Sequence, residues 1–272
     1  MRSAAFLFAY SLKRVRTLIL TTGLLLAGLQ LVLIFVAGSI QSSGGFDQLA
    51  ALIPPFARQL LGPSVVTFMS FSGIVCLGYF ELAVMGALIA LAVTLATVPA
   101  SEVEIGIMDL ILARPLARHW IITRTVVLTT LVSAFMLALM VAGTWVGLEL
   151  FAPAGIAWPS SKLINSLAIN LGMLTLCWGG VAMAIGAASS RRSVAGGAAG
   201  LLALATFLLD YVARLWQPAE KIAWLSPFRY YNPFDLITGN TLPYRNLLVL
   251  GSIALAGFAA AYALFARRDI SH

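Results

Sequence analysis

Apolar and polar positions alternate along this chain in long blocks rather than short periods. Residues 17–40 carry no charge, residues 64–98 are interrupted only by Glu81, and residues 121–148, 163–188 and 247–266 are nearly as apolar. A further apolar run begins at residue 194. A helix needs about 20 apolar residues to cross a hydrocarbon core of about 30 Å, so the blocks predict six spanning helices. Residues 64–98 as one helix would run about 52 Å. Such a helix either tilts and projects from the bilayer or is two spans meeting near residues 79–81. Two spans would place Arg114, Arg118 and Arg124 outside and leave three residues to turn a hairpin, so one long helix is expected. Residues 17–40 could also be a secretory signal, with Ala37 and Ser39 at the cleavage site. Their apolar region exceeds the usual length of about 7–15 residues, which makes them the first span.

The polar segments between the blocks differ in kind. Ser101 and Glu104 have the spacing of a capping box. Glu102, Glu104 and Asp109 would lie near the positive end of the helix dipole. Ile105, Met108, Ile111 and Leu112 recur at helical spacing, and Pro115, flanked by Arg114 and Arg118, stops the run. The pattern predicts a short amphipathic helix on a tight loop outside the membrane. Its simplest role is to lie on lipid, although its acids would be repelled by an anionic leaflet. Residues 1–16 form a basic, partly amphipathic start, with Arg2, Lys13, Arg14 and Arg16 around Phe6, Leu7, Phe8 and Tyr10. Residues 216–244 bring Trp216, Trp224, Phe228, Tyr230, Tyr231 and Phe234 among prolines, the pattern of an interfacial aromatic belt. Gly143-x-x-x-Gly147 and Gly196-x-x-x-Gly200 are spaced as helix-packing faces.

Composition changes the picture by excluding a soluble core. Of 272 residues, 61% are apolar and 10% charged, and the mean hydropathy is +0.97. The class is therefore an all-α integral membrane protein. The net charge of +7 does not point to nucleic acid, because the basic residues cluster at the ends of apolar blocks. With both termini inside, 11 of the 17 basic residues fall on the inner side, including those of the loop after the second span. Cys76 and Cys177 lie within apolar blocks and read as small buried hydrophobes.

Candidate chemistry is sparse. Lys13, Lys162 and Lys221 are preceded by Leu12, Ser161 and Glu220, so no lysine belongs to a phosphate-binding loop. His119 and His272 are the only histidines, and neither can serve as a base inside the membrane. Glu81 is the one acid deep in an apolar block, where an ionised carboxylate costs about 2.5–3.5 kcal/mol. It is either a pathway, cation or proton-relay residue, or a protonated or hydrogen-bonded packing residue at a bend. Asp210 and Arg214 are four apart and should pair.

Glu102, Glu104, Gly106, the apolar run to Leu112, Pro115 and Arg118 resemble the cytoplasmic loop of permease subunits of type-2 ABC exporters. The run from Leu225 through Tyr231 to Leu236 resembles the same family, which carries short outer helices between its last two spans. The resemblance implies one permease domain over residues 1–272 of the inner (plasma) membrane, with both termini cytoplasmic. Residues 1–16 would be an elbow helix, residues 101–119 a coupling loop and residues 216–244 an outer loop. It also implies a dimer, or a pair with a related permease, and two cytoplasmic ATPase subunits that hold ATP and Mg; this chain would bind no cofactor. Glu102, Glu104, Gly106 and Met108 would meet the ATPase, and Arg114 and Arg118 would meet its acids or lipid phosphates. Ile107 and Met108 make this loop greasier than the family's usual pattern. Two other classes stay open: a stand-alone secondary transporter with Glu81 carrying a proton, and a membrane-anchored assembly factor.

Overall fold

The computed structural model describes residues 2–45, 70–106 and 119–267, and for residues 2–10 and Arg14 the backbone alone. Regular structure among them is entirely helical, with six segments long and apolar enough to cross a bilayer. The first is most of α1 (Arg2–Ser42). The second joins α2 (Phe71–Leu77) to α3 (Leu82–Ala96) and continues into the short α4 (Val98–Glu104). The others are α5 (His119–Phe151), α6 (Ser161–Ala188), α7 (Arg192–Ala213) and α10 (Tyr244–Arg267). Between α7 and α10 lie α8 (Gln217–Glu220), two 3-10 turns and α9 (Pro233–Ile237).

Small residues let the helices approach closely, as expected where lipid supplies no hydrophobic force between them. Gly143 lies against Ala27 and Gly147 against Leu31 and Ile34, so α1 and α5 run in the same direction. Gly180 meets Ala254 and Gly257 backbone to backbone, which packs α6 parallel to α10. Gly179 faces Ala92 and Gly186 faces Thr97, which sets α3 parallel to α6. Gly172 faces Leu137 while Gly179 faces Thr129, so α5 and α6 are antiparallel. The first residue of α7, Arg192, lies beside Thr94 near the end of α3. Successive spans therefore alternate in direction, and the ends at residues 97–106, 119–124, 188–192 and 262–267 lie together. Trp178, Tyr79, Met136 and Met140 fill the interior.

Four expectations change. Residues 2–42 are one uninterrupted helix, so the first 16 residues do not form a separate elbow. Residues 64–98 are not one helix either: within the described part the chain breaks at residues 78–81. There the N–H groups of Tyr79 and Phe80 donate to the carbonyls of Cys76 and Leu77, and Glu81 restarts the chain in an extended conformation. The buried Gln30 side chain occupies the space beside Gly78, where a Cβ would come within 2.5 Å of Nε2. The freed Tyr79 carbonyl accepts from the Tyr231 hydroxyl, and the Tyr79 hydroxyl bonds to Thr144 at 2.9 Å.

Ser101 is not a helix cap. α4 starts at Val98 with Pro99 in its first turn, where proline is tolerated, and Ser101 falls inside the helix. Gly106, with φ +68°, takes the left-handed conformation that ends it.

The aromatic loop divides rather than forming one belt. Trp216 and Trp224 are exposed, but Phe228 and Tyr231 are buried. Phe228 stacks on Trp178 at 5.7 Å and meets Phe207 edge-on at 5.4 Å. Burial pushes the Tyr231 phenol above its usual pKa, which keeps it a neutral donor to Tyr79. Cys76 and Cys177 are buried free thiols.

Candidate functional site

The site is built where α4 leaves the second span. Thr97 ends α3, its hydroxyl donating to the Val93 carbonyl at 2.9 Å, and α4 carries the chain on to Gly106. One turn into α4, Glu102 points inward. Arg124, on the second turn of α5, donates Nη2 to both of its carboxylate oxygens at 2.8 and 2.7 Å. Each side chain is only 5% exposed. Removing two charges from water costs several kcal/mol per ion, and this close geometry offsets that cost.

Glu104 performs a second task. The first residue of α7, Arg192, donates its backbone N–H to Glu104 Oε2 at 2.9 Å. The residue before it, Arg191, offers α7 no side-chain cap, so a carboxylate from another segment satisfies the orphan donor and faces the positive end of the dipole. The Arg192 guanidinium donates to the Thr94 carbonyl at 3.2 Å. Thr123 and Tyr262 share a hydroxyl contact of 2.8 Å, which ties α5 to α10. Four spans are thus cross-linked by polar contacts at one end of the bundle.

Of the residues expected to dock a partner, Glu102 is directed at Arg124 inside the chain, and Glu104 caps α7 while remaining exposed. Gly106 is exposed, with φ +68°, next to Ile105 at 53% exposure. Met108, Arg114, Pro115 and Arg118 lie outside the described residues.

Glu81 sits at the break in the second span. Its carbonyl accepts from Met85 N–H at 3.0 Å. Its half-buried carboxylate has no hydrogen-bond partner among the described residues. Asp210 and Arg214 pair as expected, with Nε and Nη2 at 3.1 and 2.8 Å from Oδ2.

The Gly196 and Gly200 face packs on none of the described residues: a Cβ on either would meet nothing within 4 Å. It lines instead an open groove of about 840 Å³ between α3 and α7. Among the described residues, no three of His, Cys, Asp and Glu are grouped to hold a metal ion.

No protein-family model, curated protein or solved structure matches the chain, so a functional reading rests on its own residues and geometry.

The Glu102–Arg124 pair escaped sequence reasoning because the two residues are 22 apart, with no helical spacing to connect them. Its signal was depth. Each charge lies a turn or two from the loop, one at the end of the second apolar block and one at the start of the third.

Proposed function

We propose that the chain is the membrane-spanning permease subunit of an ATP-driven exporter of the type-2 ABC class. The observation that carries this reading is the residue order from Glu102 through Gly106 to Arg118, between the second and third spans. The polar ties from Glu102 and Glu104 to α5 and α7 support it, because a push on this loop would reach three spans through short, rigid contacts. On this reading Gly106, Met108, Arg114 and Arg118 meet a cytoplasmic ATPase that holds ATP and Mg. Glu102 and Glu104 hold the base of the loop on the bundle. The protein then sits in the plasma membrane with both termini cytoplasmic, paired with a second copy or a related permease.

Co-purification tests the proposal. A soluble ATPase should accompany the wild type and be lost with Met108→Asp plus Arg118→Glu, while the variant stays folded. Retained ATPase in that variant would contradict the docking role.

A second reading has one observation in its favour. Glu81 has no hydrogen-bond partner among the described residues and lies at a break in a spanning helix, where proton or cation carriers place ionisable groups. That reading requires nucleotide-free flux in proteoliposomes that disappears with Glu81→Gln. Absence of such flux removes it.

A further inference from the structure

The groove between α3 and α7 has two chemically different ends. Most of its wall is apolar: Met85, Ile89 and Val93 face the glycines of α7, with Phe207 and Phe228 at one end. Gly196, Gly197 and Gly200 leave its floor open, since a Cβ on any of them meets nothing within 4 Å. Leu82 and Leu204 on its rim are 55% and 53% exposed, so it opens sideways toward bilayer hydrocarbon. The other end carries Thr94, Thr97, Ser193 and Arg192, the one charged residue among the described residues of the wall. Among the described residues the Arg192 guanidinium makes one hydrogen bond, to a neutral carbonyl. Among the described residues no carboxylate forms an ion pair with it, because Glu104 is engaged with the backbone N–H. From Arg192 to Phe207 the helix rises about 22 Å, long enough to line one leaflet of a hydrocarbon core about 30 Å thick.

We propose that this groove holds one anionic phospholipid. Its phosphate sits on Arg192 and the Ser193 hydroxyl, and an acyl chain lies along the α7 glycines toward Phe228. Charge complementarity selects this occupant: among the described residues the one charged group lining the groove is the Arg192 cation, the neighbouring Glu104 carboxylate being held on the Arg192 backbone N–H, and basic pockets between spanning helices hold anionic headgroups. The site requires that the chain spans a membrane and is independent of either transport reading.

The test uses the full-length protein in neutral detergent, with native mass spectrometry of retained phosphatidylglycerol and phosphatidylcholine. Wild type should prefer phosphatidylglycerol about fivefold, the scale of one basic residue meeting an anionic lipid. Arg192→Gln should abolish that preference and Arg192→Lys should keep it. Gly197→Leu plus Gly200→Leu, at positions where an added Cβ meets nothing within 4 Å, should fill the groove and release both lipids. If Arg192→Gln does not fold, the lysine variant and the glycine pair still decide. Equal retention of the two lipids by wild type, a preference that survives Arg192→Gln, or unchanged retention in the filled groove would overturn the proposal. Thermal protection by glycerol phosphate as strong as by the lipid would reduce the site to a phosphate site. A dimer cross-linked through Gly197→Cys with no lipid retained would put a second copy of the chain there instead.

Discussion

Removing one partner of the Glu102–Arg124 pair leaves the other as an uncompensated charge at a position that is only 5% exposed. Glu102→Leu and Arg124→Met should each cost about 3–5 kcal/mol, the range for breaking a buried ion pair. At about 2–4 °C per kcal/mol, each lowers the melting temperature by roughly 6–20 °C. The double variant should recover most of this loss, because replacing both ions with apolar groups of similar volume is often neutral. Unfolding of all four proteins in mixed micelles gives the coupling energy directly. Additive costs, with a coupling below about 0.5 kcal/mol, would show that the two charges are not a closed pair. Loss of ATPase capture without loss of stability in Glu102→Leu would mean that Glu102 faces the partner after all.

Other substitutions separate tight contacts from open ones. Gly257→Ala forces a methyl into the Gly180 backbone and should destabilise by about 1–3 kcal/mol, whereas Gly200→Ala meets nothing and should gain about 0.5–1 kcal/mol from helix propensity; thermal unfolding checks both. Tyr231→Phe leaves the Tyr79 carbonyl unpaired at the break and should cost about 1–3 kcal/mol. Burial raises the Tyr231 pKa in the folded state, so its contribution is complete below the unfolded value of about 10 and falls as pH rises above it. The stability gap between wild type and Tyr231→Phe should therefore narrow above pH about 10, and a constant gap would show that the phenol is not desolvated. Glu81→Gln should leave ATP-driven export intact, and its loss would move the working acid into the second span.

The spanning segments were legible because bilayer thickness sets a length that composition alone can meet, and the blocks at residues 17–40, 121–148 and 247–266 met it. The Asp210–Arg214 pair was legible because helical spacing is local. What escaped the sequence was tertiary. The break at residues 78–81 depends on Gln30 against Gly78 and on Tyr231 reaching the Tyr79 carbonyl, and those partners come from far along the chain. The Ser101 capping box had correct spacing, but the helix already begins at Val98, with Pro99 in its first turn. The Gly196-x-x-x-Gly200 face looked like Gly143-x-x-x-Gly147, yet among the described residues only the latter meets another helix, because spacing does not say which neighbour is near.

In the proposed mechanism the loop joining the second and third spans faces the cytoplasm and receives force there. A single cysteine at Leu112, in a background with Cys76 and Cys177 replaced, can be probed with a membrane-impermeant maleimide. Labelling is expected in inside-out vesicles and not in intact cells, with bound ATPase protecting the site. Labelling from the outside of intact cells would contradict it.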